Sequence, residues 1–119
     1  MAKLNIIRGD VVYVDLHGAE GREKEGKRPC LVIQNDVGNL HSPLTIVAPI
    51  TDERQYKDLP VQVRVSAAEL GPGGKDSIIE LGHIRTVDRD RRIERMVSHV
   101  SDPTMAKVDA AIRVSLGVK

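Results

Sequence analysis

Short β-branched runs cut by glycine and proline, with helical periodicity only near the C-terminus, constrain this chain most. Asp10-Val11-Val12-Tyr13-Val14-Asp15-Leu16 roughly alternates and predicts a first strand. Lys27-Arg28-Pro29-Cys30-Leu31-Val32-Ile33-Gln34-Asn35-Asp36 reads as a buried strand with a polar exit, and Leu44-Thr45-Ile46-Val47-Ala48-Pro49-Ile50-Thr51 as another. Between them, Asn35 to Pro43 carries Gly38, Asn39, Ser42 and Pro43, all turn formers. Val61-Gln62-Val63-Arg64-Val65 alternates strictly, and Ser66-Ala67-Ala68-Glu69 has capping-box spacing for one helical turn before Gly71-Pro72-Gly73-Gly74. Ser77 to Leu81 predicts a strand that Ile84 to Val87 continues beyond a kink at Gly82, and Arg95 to Val100 the last one. Asp102 as N-cap and Pro103 as first helical residue then open a helix whose Met105, Val108, Ile112 and Leu116 form one apolar stripe. Such a pattern predicts a mainly β domain over residues 1–119, a small curled antiparallel sheet with one docked C-terminal helix.

Composition narrows the function classes. Of the 119 residues, 40% are hydrophobic and 29% charged, which suits a soluble globular chain. No apolar run approaches the roughly 20 residues of a membrane span, and Met1 to Leu4 leads into the fold without a signal-peptide core. The single Cys30 excludes an internal disulfide and suits a reducing cytoplasm; its apolar strand predicts a buried thiol. A net charge of +1 means that a nucleic-acid partner has to be argued from local groups. With Tyr13 and Tyr56 the only aromatic residues, base recognition has to lean on hydrogen bonds and arginine planes rather than stacking.

The chemistry converges on two residues. If the strands around Cys30 and Ile46 pair antiparallel, Arg28 at the start of one lies near Thr51 at the end of the other. A permanent guanidinium beside a hydroxyl is a phosphate site. Taken singly, Arg28 is as readily an exposed strand-start arginine and Thr51 a turn residue. No Cys/His cluster has zinc spacing and no carboxylate set suits a two-metal nuclease, so no metal or other cofactor is expected. His17, His41 and His83 are the near-neutral titrating candidates for proton transfer, while His99, in a predicted strand, reads as structural. Residues 17–27 hold three glycines and six charges and predict a mobile loop. Asp88-Arg89-Asp90-Arg91-Arg92 alternates sign and predicts a solvated turn.

Arg8-Gly9-Asp10-Val11-Val12-Tyr13, Lys27-Arg28-Pro29 with Val32 to Asp36, Ala48-Pro49-Ile50-Thr51, Ile84-Arg85-Thr86-Val87-Asp88, and Lys107-Val108-Asp109-Ala110-Ala111 with Ser115-Leu116-Gly117 stand in that order. Together they resemble the MazF/PemK family of toxin endoribonucleases over about residues 7 to 118. The resemblance implies an SH3-like, PemK/CcdB-type curled β-barrel and a homodimer. It implies metal-independent cleavage of single-stranded RNA, mRNA in particular, to 2′,3′-cyclic phosphate and 5′-hydroxyl ends. It also implies neutralisation by a MazE-like antitoxin. Arg28 and Thr51 match the family's catalytic pair, and Arg8, Glu23, His83 and Arg85 are candidates for contacts to RNA. One branch uses an Arg-x-Asp pair before the Arg-Thr motif; here that segment reads Glu80-Leu81-Gly82-His83, so that pair is absent. The alternatives are a non-catalytic, CcdB-like gyrase poison of the same fold and a plain RNA-binding barrel.

Overall fold

The structure, a computed structural model, describes residues 4–18, 21 and 26–119. Strands β1 (Asp10–Asp15), β2 (Lys27–Val32), β3 (Leu44–Asp52), β4 (Gln62–Val65), β5 (Ser77–Glu80), β6 (Arg85–Asp88) and β7 (Ile93–His99) form one antiparallel sheet. Its order is β4-β5-β3-β2-β1-β7, with β6 also on β3. Val47 pairs with Val32 on one edge of β3 and with Arg85 on the other. β3 therefore holds β2 along one edge and β6 then β5 along the opposite edge. Since β6 and β7 do not pair, the sheet is curled rather than closed. The one-turn helix α2 (Arg89–Arg92) bridges these two strands.

Alternation divides the apolar residues between two faces. Val11, Leu31, Ala48, Ile50, Val63 and Ile79 lie on one face, under Val108 and Ala111 of α3 (Asp102–Leu116). Val12, Val14, Cys30, Val32, Val47, Val87 and Ile93 fill the hollow of the curl on the other. Strands buried on both sides read as near-continuous apolar runs, and so they do in the sequence.

The expected turn between β2 and β3 is instead helix α1 (Asp36–His41). The Asn35 side chain accepts from Gly38 N–H as its N-cap. Asn39, 2% exposed, holds the turn of chain together: its amide donates to Gln34 O at 2.9 Å and its Oδ1 accepts from Thr45 Oγ1 at 2.7 Å. This tertiary network overrides the poor helix propensity of Gly38 and Asn39. The sign-alternating segment is likewise no solvated turn. Arg89 donates to Leu4 O at 2.7 Å and to Asn39 O, tying the segment before β1 to α1, and Arg92 donates to Asp15 O and His17 O at the end of β1.

Helix α3 begins one residue earlier than its sequence predicts, with Ser101 as N-cap and Pro103 at the second helical position. Glu69, from a 3₁₀ turn (Ala67–Glu69), completes the cap: it accepts from Ser101 N–H and from Thr104 Oγ1, both at 2.6 Å. Of the expected stripe, Val108 is buried and Met105 and Ile112 pack at the edge, but Leu116 is 56% exposed and Ala111 takes the inward place. Burial pushes the Glu69 carboxyl up. The donors Ser101 and Thr104, with Lys107 nearby, outweigh it and hold the group below its ordinary 4.5. A depressed carboxyl stabilises the fold above its unfolded value, and the contribution is lost as pH falls through the folded value. Glu69→Ala therefore costs about 1–2 kcal/mol at pH 7. In thermal melts, the gap to the parent should narrow on acidification; a pH-independent gap would assign Glu69 a packing role only.

Candidate active site

Arg28 is the second residue of β2 and pairs with Val14 of β1, which places its side chain on the face of the curl. The β2–β3 ladder runs Val32–Val47, Leu31–Ala48, Cys30–Pro49 and stops there. Continued by two residues, the same register aligns Arg28 with Thr51. Pro49, unable to donate an N–H, stands at the changeover where β3 leaves β2 for β5. Beyond it Thr51 pairs with Ile78. Positions 47, 49 and 51 alternate onto one face, so Thr51 shares its side with Cys30 and Arg28. Both Arg28 and Thr51 are half-buried, at the rim where the sheet splits.

Arg85 opens β6 opposite Val47 and occupies the same face; its Nη1 lies 3.5 Å from Leu16 O. Two guanidiniums and a hydroxyl thus share one rim. Leu16 N–H donates to Gly26 O at 3.0 Å and Lys27 Nζ pairs with Glu94 at 2.8 Å, which fixes the base of the 17–26 segment beside Arg28. Glu23, expected to contact RNA, lies outside the described residues, as does most of that loop. His83 is exposed on the turn between β5 and β6, its N–H donating to Glu80 O at 3.2 Å.

Arg8 is placed elsewhere. Its Nε donates to Ile33 O at 2.8 Å and its Nη2 pairs with Asp109 at 2.7 Å, tying α3 to the far end of β2. The structure does not bring it to the Arg28 rim. Gly9 beside it has φ +97°, and a Cβ there would lie 2.9 Å from His99 Cε1. His99 itself pairs with Asp10 at 2.8 Å, as its structural reading requires. Among the described residues no group of three or more His, Cys, Asp or Glu side chains comes together as a metal site, and no helix is long and apolar enough to cross a membrane.

Residues 7–116 match the family described as PemK-like, MazF-like toxin of type II toxin-antitoxin system. The chain belongs to this family. A MazF-like toxin of this length has near full-length relatives. Endoribonuclease EndoA of Bacillus subtilis (strain 168) is 45% identical over 111 residues, covering 93% of this chain and 94% of the relative. MazF from Deinococcus radiodurans superimposes with a TM-score of 0.82 at 25% identity, over 98% of this chain and all of that one. A mycobacterial endoribonuclease solved with its cognate antitoxin shares the fold, with a TM-score of 0.76 at 23% identity over 96% and 97% of the two chains.

In this MazF-like toxin Cys30 is the floor between the two arginines. Burial pushes its thiol up to about 12, although Arg28 and Arg85 pull the other way. A thiol so high is no nucleophile at neutral pH. The folded toxin should resist iodoacetamide at pH 8 and react only after denaturation; rapid labelling of the native protein would contradict the burial.

One acidic residue of the toxin's rim escapes a motif reading. Glu80 is 6% exposed and pairs with Gln62 of β4, two positions along β5 from the Ile78 that faces Thr51. The signal lay in the alternation of Ser77 to Glu80, which sets Ile78 and Glu80 on one side.

Proposed function

We propose that this chain is a metal-independent, sequence-selective endoribonuclease that cuts single-stranded mRNA, the toxin of a type II toxin-antitoxin pair. It works in the cytoplasm as a homodimer and is silenced by a MazE-like antitoxin. The observation that carries the reading is the alignment of Arg28 with Thr51 on one sheet face, with Arg85 beside them, in a fold whose relatives are named endoribonucleases.

The chemistry that suits these groups is transesterification within RNA. The ribose 2′-hydroxyl attacks the adjacent phosphorus, the P–O5′ bond breaks, and the products end in a 2′,3′-cyclic phosphate and a 5′-hydroxyl. Arg28 presents a planar fork of donors to two phosphate oxygens and tightens its hold as charge builds on the phosphorane. Thr51 donates its hydroxyl to the same phosphate or to the departing oxygen. Arg85 adds positive potential from the other side of Cys30. Scarce aromatics leave base choice to hydrogen bonds, for which His83 and Glu23 are the candidate side chains.

The test is cleavage in excess EDTA of a long unstructured RNA, beside the same RNA annealed to its complement. Discrete cuts confined to the single strand are expected. An intact single strand, with protein proven folded and free of antitoxin, would overturn the reading.

A further inference from the structure

Arg28 and Thr51 leave one task undone. A guanidinium stays protonated above pH 12 and a threonine hydroxyl is a weak acid, so neither takes the 2′-hydroxyl proton at neutral pH. Among the described residues the rim offers one carboxylate on the right face. Ile78 pairs with Thr51 and Glu80 lies two residues further along β5, so Glu80 is the diagonal neighbour of Thr51. Residues in such a pair stand about 7–8 Å apart, their Cβ atoms somewhat closer, which leaves room for one sugar hydroxyl between the two side chains. The Ile50–Ile79 register continued by one residue also sets Glu80 across from Pro49, whose other neighbour is Cys30. Glu80 thus lies one row along from the Arg28–Thr51 row.

Asp10, paired with His99, lies across this face on β1; among the described residues the charged groups nearer Glu80 in the sheet are cationic. Arg28 comes from β2 and Arg85 from β6; Arg64 of β4, opposite Ile78, stacks over Tyr56 at 3.9 Å. His83 follows Glu80 three residues later on the exposed turn.

We propose that Glu80 is the general base of the cleavage reaction. The inference rests on the ribonuclease reading above. The Glu80 carboxylate takes the 2′-hydroxyl proton as the 2′-oxygen bonds to phosphorus. The P–O5′ bond breaks with its electron pair on the 5′-oxygen, which takes a proton from water. Glu80 then returns its proton to solvent, so no co-reactant is consumed.

Glu80→Gln keeps the shape and removes the base. Its single-turnover rate on a short RNA carrying the cut site should fall by about 10²–10³-fold. Its affinity for the same oligonucleotide with a 2′-deoxy sugar at the cut should stay within about threefold of the parent. The parent rate should decline on acidification through a carboxylate titration, and Glu80→Gln should lack that limb. Glu80→Asp, which keeps a carboxylate, should retain part of the rate together with the limb. It decides the case if the glutamine variant folds poorly. A Glu80→Gln rate equal to the parent's, or an acid limb that survives the substitution, would overturn the assignment. So would transfer of the loss and the limb to His83→Gln. If the parent itself leaves RNA intact, the ribonuclease reading fails; cleavage by the parent and by Glu80→Gln alike removes Glu80 alone.

Discussion

Arg28→Ala lowers the rate of RNA cleavage by about 10²–10³-fold, the loss that follows removal of one pre-positioned donor from a developing oxyanion. That factor corresponds to about 3–4 kcal/mol of transition-state stabilisation. The fold should hardly register the change. Arg28 is half-buried at the open end of β2, two residues before the β2–β3 ladder begins, and neither apolar cluster includes it. Half-burial of its stem means that a loss of a few degrees in melting temperature is expected from lost packing. Activity and Tm measured on the same preparation separate the two roles. A collapse of Tm, or cleavage at the parent rate, would make Arg28 a structural residue.

Ile79→Ala has the largest expected effect on stability. Ile79 is fully buried and pairs with Ile50 on one side and Val63 on the other, in the cluster that packs beneath Val108 and Ala111 of α3. Both neighbours are held by strand ladders, so the site collapses little around a smaller side chain. The cost should be about 2–5 kcal/mol, cavity included. For a chain of this size that lowers Tm by about 10 °C or more. Ile50 immediately precedes Thr51, so the same cavity loosens the segment that presents the hydroxyl. Cleavage should persist well below the new melting point and fail earlier than the parent's on warming. A Tm within about 2 °C of the parent's would contradict the packing described here.

Much of the architecture was legible because short alternating strands state their own faces. Val11 and Val12 go to opposite cores, and the antiparallel pairing of the runs around Cys30 and Val47 brings Arg28 level with Thr51. What stayed hidden was tertiary. Asp36–His41 becomes helical through Asn39, whose partners Gln34 and Thr45 lie on either side of a segment that looks like a turn. Ser101 rather than Asp102 caps α3 because Glu69, 32 residues earlier, accepts the Ser101 N–H. Arg8 meets Asp109 across 101 residues, so no local pattern discloses why it is there. Arg89 and Arg92 look solvated in sequence because carbonyl acceptors leave no mark in it. Glu80 was overlooked for a related reason. Its significance is its row in the sheet, which is set by the pairing of β5 with β3 and β4.

The measurement that tests the account most directly compares two RNAs that differ by one oxygen. One carries the cleaved sequence throughout as RNA, the other a single 2′-deoxy sugar at the cut position, each incubated in EDTA with fragment ends read by mass spectrometry. The account predicts 2′,3′-cyclic phosphate and 5′-hydroxyl ends from the first and no cut at that position in the second. Cleavage of both at equal rates, or ends bearing a 5′-phosphate, would contradict it.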